Sequence, residues 1–154
     1  MTLHLVRHAK AGSRSDWSQP DELRPLTPAG QLQAVAIRAL LEDRPVKRIL
    51  SSPFVRCIQT VEPLAETLGL DVERHPALSE EADLDDTRAL LAELAGTDAV
   101  LCSHGNVIPE VVDRALRSGA RRIGDRQGDK KGSVWTLEMD PAGDVLTAAY
   151  TPPG

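Results

Sequence analysis

The stretch Leu5-Val6-Arg7-His8-Ala9-Lys10-Ala11-Gly12 decides how the chain is read. Thr2-Leu3-His4-Leu5-Val6 before it is β-prone and too short for a helix, and Ala11-Gly12-Ser13 after it is loop chemistry. His8 therefore sits where a strand opens into a loop. In open α/β sheets that edge is where ligands bind.

Working outward, residues 12–26 read as a long polar loop, a kind of segment that often carries function. Thr27-Pro28 is a helix start, a capping hydroxyl followed by proline in the first turn. Leu32, Val35, Ala36, Ala39 and Leu40 recur at helical spacing and predict the buried face of that helix. Val46 to Leu50 reads as a second strand, and Ser51-Ser52-Pro53 as the entry to a capped helix with Arg56 in its first turn, where the helix N-terminus favours an anion. Ile58, Val61, Ala65 and Leu68 supply its apolar stripe, Pro63 should bend it, and Gly69 closes it. Asp71 to Glu73 reads as a short strand, followed by an acidic loop over residues 75–83.

Asp83 or Asp85 opens a third helix with Leu90, Leu91 and Leu94 on its core face. Ala99 to Cys102 is a continuous apolar run, as expected of a central strand buried on both faces. It ends at Ser103-His104-Gly105-Asn106, where Asn106 is a candidate cap for a fourth helix buried through Ile108, Val111, Val112 and Ala115. Residues 117–132 read as a basic, glycine-containing loop, and residues 133–150 as a hairpin. This alternation predicts a single α/β domain over residues 1–154, a three-layer sandwich whose central sheet is mostly parallel with an antiparallel edge and helices on both faces.

Composition excludes several classes. The 154 residues are 41% hydrophobic and 27% charged, an ordinary globular balance that needs no disulfide staple. A net charge of -5 argues against binding nucleic acid polymers, so any phosphate site is local. The N-terminus lacks the pattern of a signal peptide and no apolar run reaches membrane-spanning length, so a cytoplasmic protein without membrane attachment is expected. Cys57 and Cys102 have no metal or redox spacing and are expected as reduced buried thiols. His4 and His8 stand four residues apart, but on a strand that is roughly 13 Å, too far for one metal ion. His4 is expected in the core and His75 in a loop, with Trp17 and Trp135 as packing anchors.

Three strands thus end at reactive residues: Arg7 and His8, then Arg56, then His104. Two arginines grip a phosphate through several N–H donors, and two histidines beside them serve as nucleophile, donor or base. Transfer of a phosphoryl group requires little beyond positioning and neutralisation of its oxygens.

Leu5-Val6-Arg7-His8, Ser51-Ser52-Pro53-Phe54-Val55-Arg56-Cys57-Ile58-Gln59-Thr60 and Ser103-His104-Gly105-Asn106 closely resemble the signature segments of the histidine phosphatase superfamily, also called phosphoglycerate-mutase-like. The resemblance also takes in Arg24-Pro25-Leu26-Thr27. The compact length and the Arg-His-Ala-Lys form look most like the short phosphohistidine-phosphatase branch. The resemblance implies that His8 attacks phosphorus, that Arg7, Arg56 and His104 hold the transferring oxygens, and that a carboxylic acid serves the leaving group. Leu78-Ser79-Glu80 matches the family's pattern for that acid, with Glu81 in reserve. No metal or cofactor is implied.

Lys130-Lys131-Gly132-Ser133-Val134-Trp135 and Val107-Ile108-Pro109 are further similar to the histidine phosphatase domain fused to Nudix domains in actinobacterial hydrolases of oxidised guanine nucleotides. The expected partner is a phosphorylated small molecule, nucleoside di- and triphosphates included, or a phosphohistidine protein. Lys10, and Lys130 or Lys131, are candidates for substrate phosphate, with a solvated lysine as the alternative reading. Two other functions fit the same motifs: a phospho-ligand binding module without turnover, and a phosphomutase.

Overall fold

The structure, a computed structural model, describes residues 1–154. The opening stretch forms β1 (Thr2–Arg7) and leads through two short 3-10 turns, Arg14–Asp16 and Asp21–Leu23, to α1 (Pro28–Leu41). There follow β2 (Arg48–Ser51), α2 (Val55–Leu68), β3 (Val72–Arg74), a 3-10 turn at Pro76–Leu78, α3 (Leu84–Glu93), β4 (Ala99–Ser103) and α4 (Ile108–Arg117). The chain closes with β5 (Arg121–Ile123), β6 (Val134–Met139) and β7 (Val145–Thr151).

One seven-stranded sheet has the order β3-β2-β4-β1-β6-β7-β5. β1, β4, β2 and β3 are mutually parallel, and β6 is antiparallel to both β1 and β7. Alternate residues of the central strands serve two cores. Leu3, Leu5, Leu50 and Leu101 pack with Leu90 and Leu94 and with Ile108 and Val112 under α3 and α4. Val6, Ile49, Val100 and Cys102 pack with Ile37, Leu41, Val61 and Leu64 under α1 and α2. The result is the expected three-layer α/β sandwich.

Local chemistry explains most element ends. The Thr27 hydroxyl accepts from Gly30 N–H and the Asp83 carboxylate from Asp85 N–H, closing the first turns of α1 and α3. Gly69 ends α2 in the left-handed region, φ 67°. α2 runs through Pro63 to Leu68.

Four expectations need correction. The buried face of α1 is Gly30, Ala34, Ile37 and Leu41, whereas Leu32, Val35 and Leu40 are exposed. The helix carries two apolar stripes, and the one with small residues wins because the chain at Lys10 passes against it: a Cβ on Gly30 would lie 2.0 Å from the Lys10 carbonyl oxygen. Within the loop expected at 117–132, Arg121–Ile123 pair with β7 as an outermost parallel strand. Asn106 does not cap α4; its side-chain amide donates to the Glu80 carbonyl, and the N-cap position is Val107 with no side-chain bond. Ser52 likewise precedes α2 rather than capping it, Phe54 holding the N-cap position.

Candidate active site

The parallel register sets Arg7 beside Ser103, so His8 and His104 leave neighbouring strands at the same height. His8 N–H donates to the Ser103 carbonyl, and Ser52 N–H to the Cys102 carbonyl, which ties the three strand exits together. The two imidazoles meet edge to face, 5.4 Å between centroids. Phe54 stands edge-on to His104 at 4.8 Å.

Arg7, His8, His104, Glu80 and Lys131 line one cleft of 350 Å³, together with Gly12, Arg14, Arg24, Gly105 and Asn106. No lining residue is hydrophobic. Arg56 lies behind it, fully buried, and donates to the Asp21 carboxylate and to Glu80 Oε2, both at 3.1 Å. Arg14 donates to Glu80 Oε1 at 2.7 Å, so this carboxylate is held between two guanidiniums. Asp21 also accepts from Arg24 Nε at 2.9 Å. Partial burial pulls the Asp21 carboxyl upward, but the Arg24 hydrogen bond and the Arg56 charge hold it below the ordinary range. Arg7 rests over Gly105, where a Cβ would come within 2.7 Å of its guanidinium carbon, and its Nη1 donates to the Asp129 carbonyl.

The electrostatics suit an anion. His8 Nδ1 lies 2.8 Å from the Ala9 carbonyl, an acceptor only, so Nδ1 carries the hydrogen and Nε2 keeps its lone pair. Burial, reinforced by His104, Arg56 and Arg7, pushes the His8 pKa down to about 3, which leaves the ring neutral. Partial burial and the charges of Arg7, Arg24, Arg56 and Arg14 lower the Lys131 pKa. Three buried polar atoms at this site have no partner in the protein: Arg7 Nε, Arg56 Nε and His104 Nδ1. Buried polar atoms are normally paired, so three unpaired nitrogens, two of them guanidinium N–H donors, fit a place that receives an acceptor-rich ligand.

Of the residues singled out from the sequence, Lys10 and Lys130 are not brought to the cleft. Both are exposed; the Lys10 N–H bonds the Gln33 side chain and the Lys130 N–H the Tyr150 hydroxyl. Glu81 is exposed as well. Arg14, Arg24, Asn106, Asp21 and Ser52 were not assigned site roles from the sequence. The arginine content of the 12–26 loop, directly after the reactive strand end, is the signal that points to the first two.

A larger apolar groove of 640 Å³ lies between α3, α4 and the β6–β7 turn. It holds no histidine, cysteine or hydroxyl nucleophile except Ser118, so size does not mark the chemistry here. No group of three or more His, Cys, Asp and Glu side chains is arranged to hold a metal ion, and no helix is long and apolar enough to cross a membrane.

A neutral histidine with a free Nε2, ringed by guanidiniums at the ends of parallel strands, defines a phosphoryl-transfer enzyme of the histidine type. The comparisons make this specific: the family model of the histidine phosphatase superfamily (branch 1) matches residues 3–87, and the chain belongs to that family of phosphatases. An 8-oxo-(d)GTP phosphatase of Mycolicibacterium smegmatis is 36% identical, the match covering 99% of this chain and 48% of that protein. The chain thus spans about half the length of that relative. Among solved structures, the protein histidine phosphatase SixA complexed with tungstate superposes with a TM-score of 0.72 at 25% identity, covering 99% of this chain and 95% of that one. A mycobacterial glucosyl-3-phosphoglycerate phosphatase superposes at 0.74 with 18% identity, covering 98% and 97%, which shows the shared fold.

Proposed function

We propose that the chain hydrolyses a phosphoryl group through a phosphohistidine on His8, without a metal ion. His8 Nε2 attacks phosphorus; the N–P bond forms as the bond to the leaving oxygen breaks. As the phosphate oxygens take over the Arg14 and Arg56 donors, Glu80 takes up a proton from solvent and gives it to the leaving oxygen; the resulting carboxylate then takes one from the water that cleaves the N–P bond, releasing inorganic phosphate. Arg7 and Arg56 supply the positive charge and, with His104, the hydrogen-bond donors that hold the three transferring oxygens. The observation that carries this reading is the hydrogen bond of His8 Nδ1 to the Ala9 carbonyl, which presents Nε2 as a neutral lone pair among unpaired N–H donors.

The substrate favoured is a small phosphoanhydride, nucleoside di- or triphosphates included. One phosphoryl group needs Arg7, Arg56 and His104, yet Arg14, Arg24 and Lys131 add further positive groups to the cleft. They suit a second phosphate. The name of the Mycolicibacterium relative agrees with this class. A phosphohistidine protein is the second reading, favoured by the likeness to SixA and by the absence of apolar walls that would enclose a small molecule.

A panel of nucleoside di- and triphosphates, sugar phosphates and a phosphohistidine protein, with and without chelator, tests this. Expected are turnover insensitive to chelator, an acid-labile labelled phosphoenzyme, and loss of both in His8→Ala. Saturable binding of these compounds with no turnover of any would identify a binding module instead.

A further inference from the structure

The His104 ring is held through one nitrogen only. Its Nε2 lies 2.8 Å from the Ser52 hydroxyl and 3.5 Å from Cys57 Sγ. Its Nδ1 is buried and has no partner in the protein. Which ring nitrogen carries the hydrogen follows from what Ser52 does with its single O–H.

Ser52 is wholly buried, and its oxygen accepts from Phe54 N–H at 3.3 Å, so a lone pair is already used there. A buried hydroxyl left without an acceptor is costly, and the His104 ring offers the acceptor at hydrogen-bond distance. The O–H therefore points at Nε2. The neighbouring Cys57 Sγ lies 3.5 Å from the same nitrogen, farther than the Ser52 oxygen, and its S–H can instead be directed at the Ser103 carbonyl at 3.8 Å. An Nε2 that accepts leaves the hydrogen of the neutral ring on Nδ1.

We infer that Ser52 is a positioning residue that fixes His104 as the Nδ1–H tautomer, so that this ring donates to a phosphoryl oxygen from the nitrogen the protein leaves unpaired. The opposite tautomer would turn a lone pair toward an oxyanion, and the contact would be repulsive. Phe54, edge-on at 4.8 Å, fixes the plane of the same ring. His8 and His104 thereby hold the same tautomer but are anchored through opposite nitrogens: His8 spends its N–H on the Ala9 carbonyl and offers a lone pair, whereas His104 spends its lone pair on Ser52 and offers an N–H. The inference rests on the phosphatase reading for the identity of the ligand, but the tautomer is readable without turnover.

The test is NMR of the protein with 15N-labelled histidine, together with titration by tungstate as the oxyanion probe. Wild-type His104 is expected to show a protonated Nδ1 and an unprotonated Nε2. Ser52→Ala is expected to give a mixture of tautomers and about tenfold weaker tungstate binding, and Ser52→Thr to restore both. A wild-type His104 with its hydrogen on Nε2 overturns the inference, and so does a Ser52→Ala protein with unchanged tautomer and affinity. If Ser52→Ala does not fold, the wild-type spectrum decides alone. A protein with the expected tautomer that turns over no phosphate leaves this inference standing and removes the catalytic reading; a phosphoenzyme with the other tautomer does the reverse.

Discussion

His8 and His104 stand edge to face, 5.4 Å apart at an interplanar angle of 64°, and each is anchored through a different nitrogen: Nδ1 to a carbonyl for His8, Nε2 to a hydroxyl for His104. One ring can then act as nucleophile while its neighbour acts as donor, without a proton passing between them.

Because burial and the nearby His104, Arg56 and Arg7 push the His8 pKa down to about 3, this ring stays neutral far below the ordinary histidine range. Ring resonances of His8, followed by NMR, are expected to show no protonation between pH 7 and pH 5. A His8 midpoint near 6.5 would contradict the assignment of its environment.

Glu80→Gln removes the proposed proton donor while keeping the carbonyl oxygen available to Arg14 or Arg56. Turnover of a substrate with a poor leaving group is expected to fall about 10²- to 10⁴-fold. With p-nitrophenyl phosphate, whose leaving group needs little protonation, the loss is expected to be much smaller. Equal losses on both would remove Glu80 from the acid role.

Arg14→Ala and Lys131→Ala separate the two substrate classes. If these groups hold a second phosphate, each variant raises KM for a nucleoside diphosphate by about tenfold or more and changes KM for a simple monoester far less. Parallel effects on both would mean that they serve only the transferring group.

Two glycines give opposite signatures. In Gly105→Ala the new methyl meets the far end of the Arg7 side chain, which moves, so tungstate affinity is expected to fall about tenfold with little change in thermal midpoint. In Gly30→Ala it meets the Lys10 backbone carbonyl at 2.0 Å, so α1 must shift and stability is expected to fall by about 1–3 kcal/mol. Thermal unfolding and tungstate titration of both variants check the contrast.

His4 reports on stability rather than chemistry. It is buried with Nδ1 3.0 Å from the Thr136 hydroxyl, and burial, aided by Arg44, lowers its pKa to about 4. The unfolded chain takes up this proton near pH 6.5 and the folded chain only near 4, so stability rises with pH across that window. The penalty is absent above it and reaches on the order of 3 kcal/mol below it. Denaturant unfolding between pH 7 and pH 4 is expected to show a shallower loss for His4→Val than for the wild type.

The sandwich was legible because its central strands are unmistakable: Ala99 to Cys102 has no polar residue, and Arg7-His8 and Ser103-His104 end runs too short for helices. The phase of α1 was not, since Leu32–Val35–Leu40 and Ala34–Ile37–Leu41 are both plausible stripes. A close backbone approach from Lys10 chose between them. β5 hides in Arg121-Arg122-Ile123, a segment with little β propensity that is a strand only because β7 leaves an edge beside it. Arg7, His8, Arg56, His104 and Glu80, which the fold brings together around one cleft, could be singled out in sequence because they follow strand ends or family motifs. Arg14, Asp21 and Ser52 were not, because their partners lie 66, 35 and 52 residues away and only the fold brings them together.

The place of β1 in the sheet has a consequence for the order of assembly. β1, which ends at Arg7 just before His8, precedes both of its sheet neighbours, β4 and β6, in sequence, and the Thr2 hydroxyl bonds a carboxylate 136 residues later. Loop closure over such separations is slow, and β1 gains its partners only after most of the chain exists. The proposed nucleophile is synthesised before its strand partners and becomes competent only with them, so a growing or truncated chain lacking β6 is expected to be inert at His8 and to expose an unpaired strand edge.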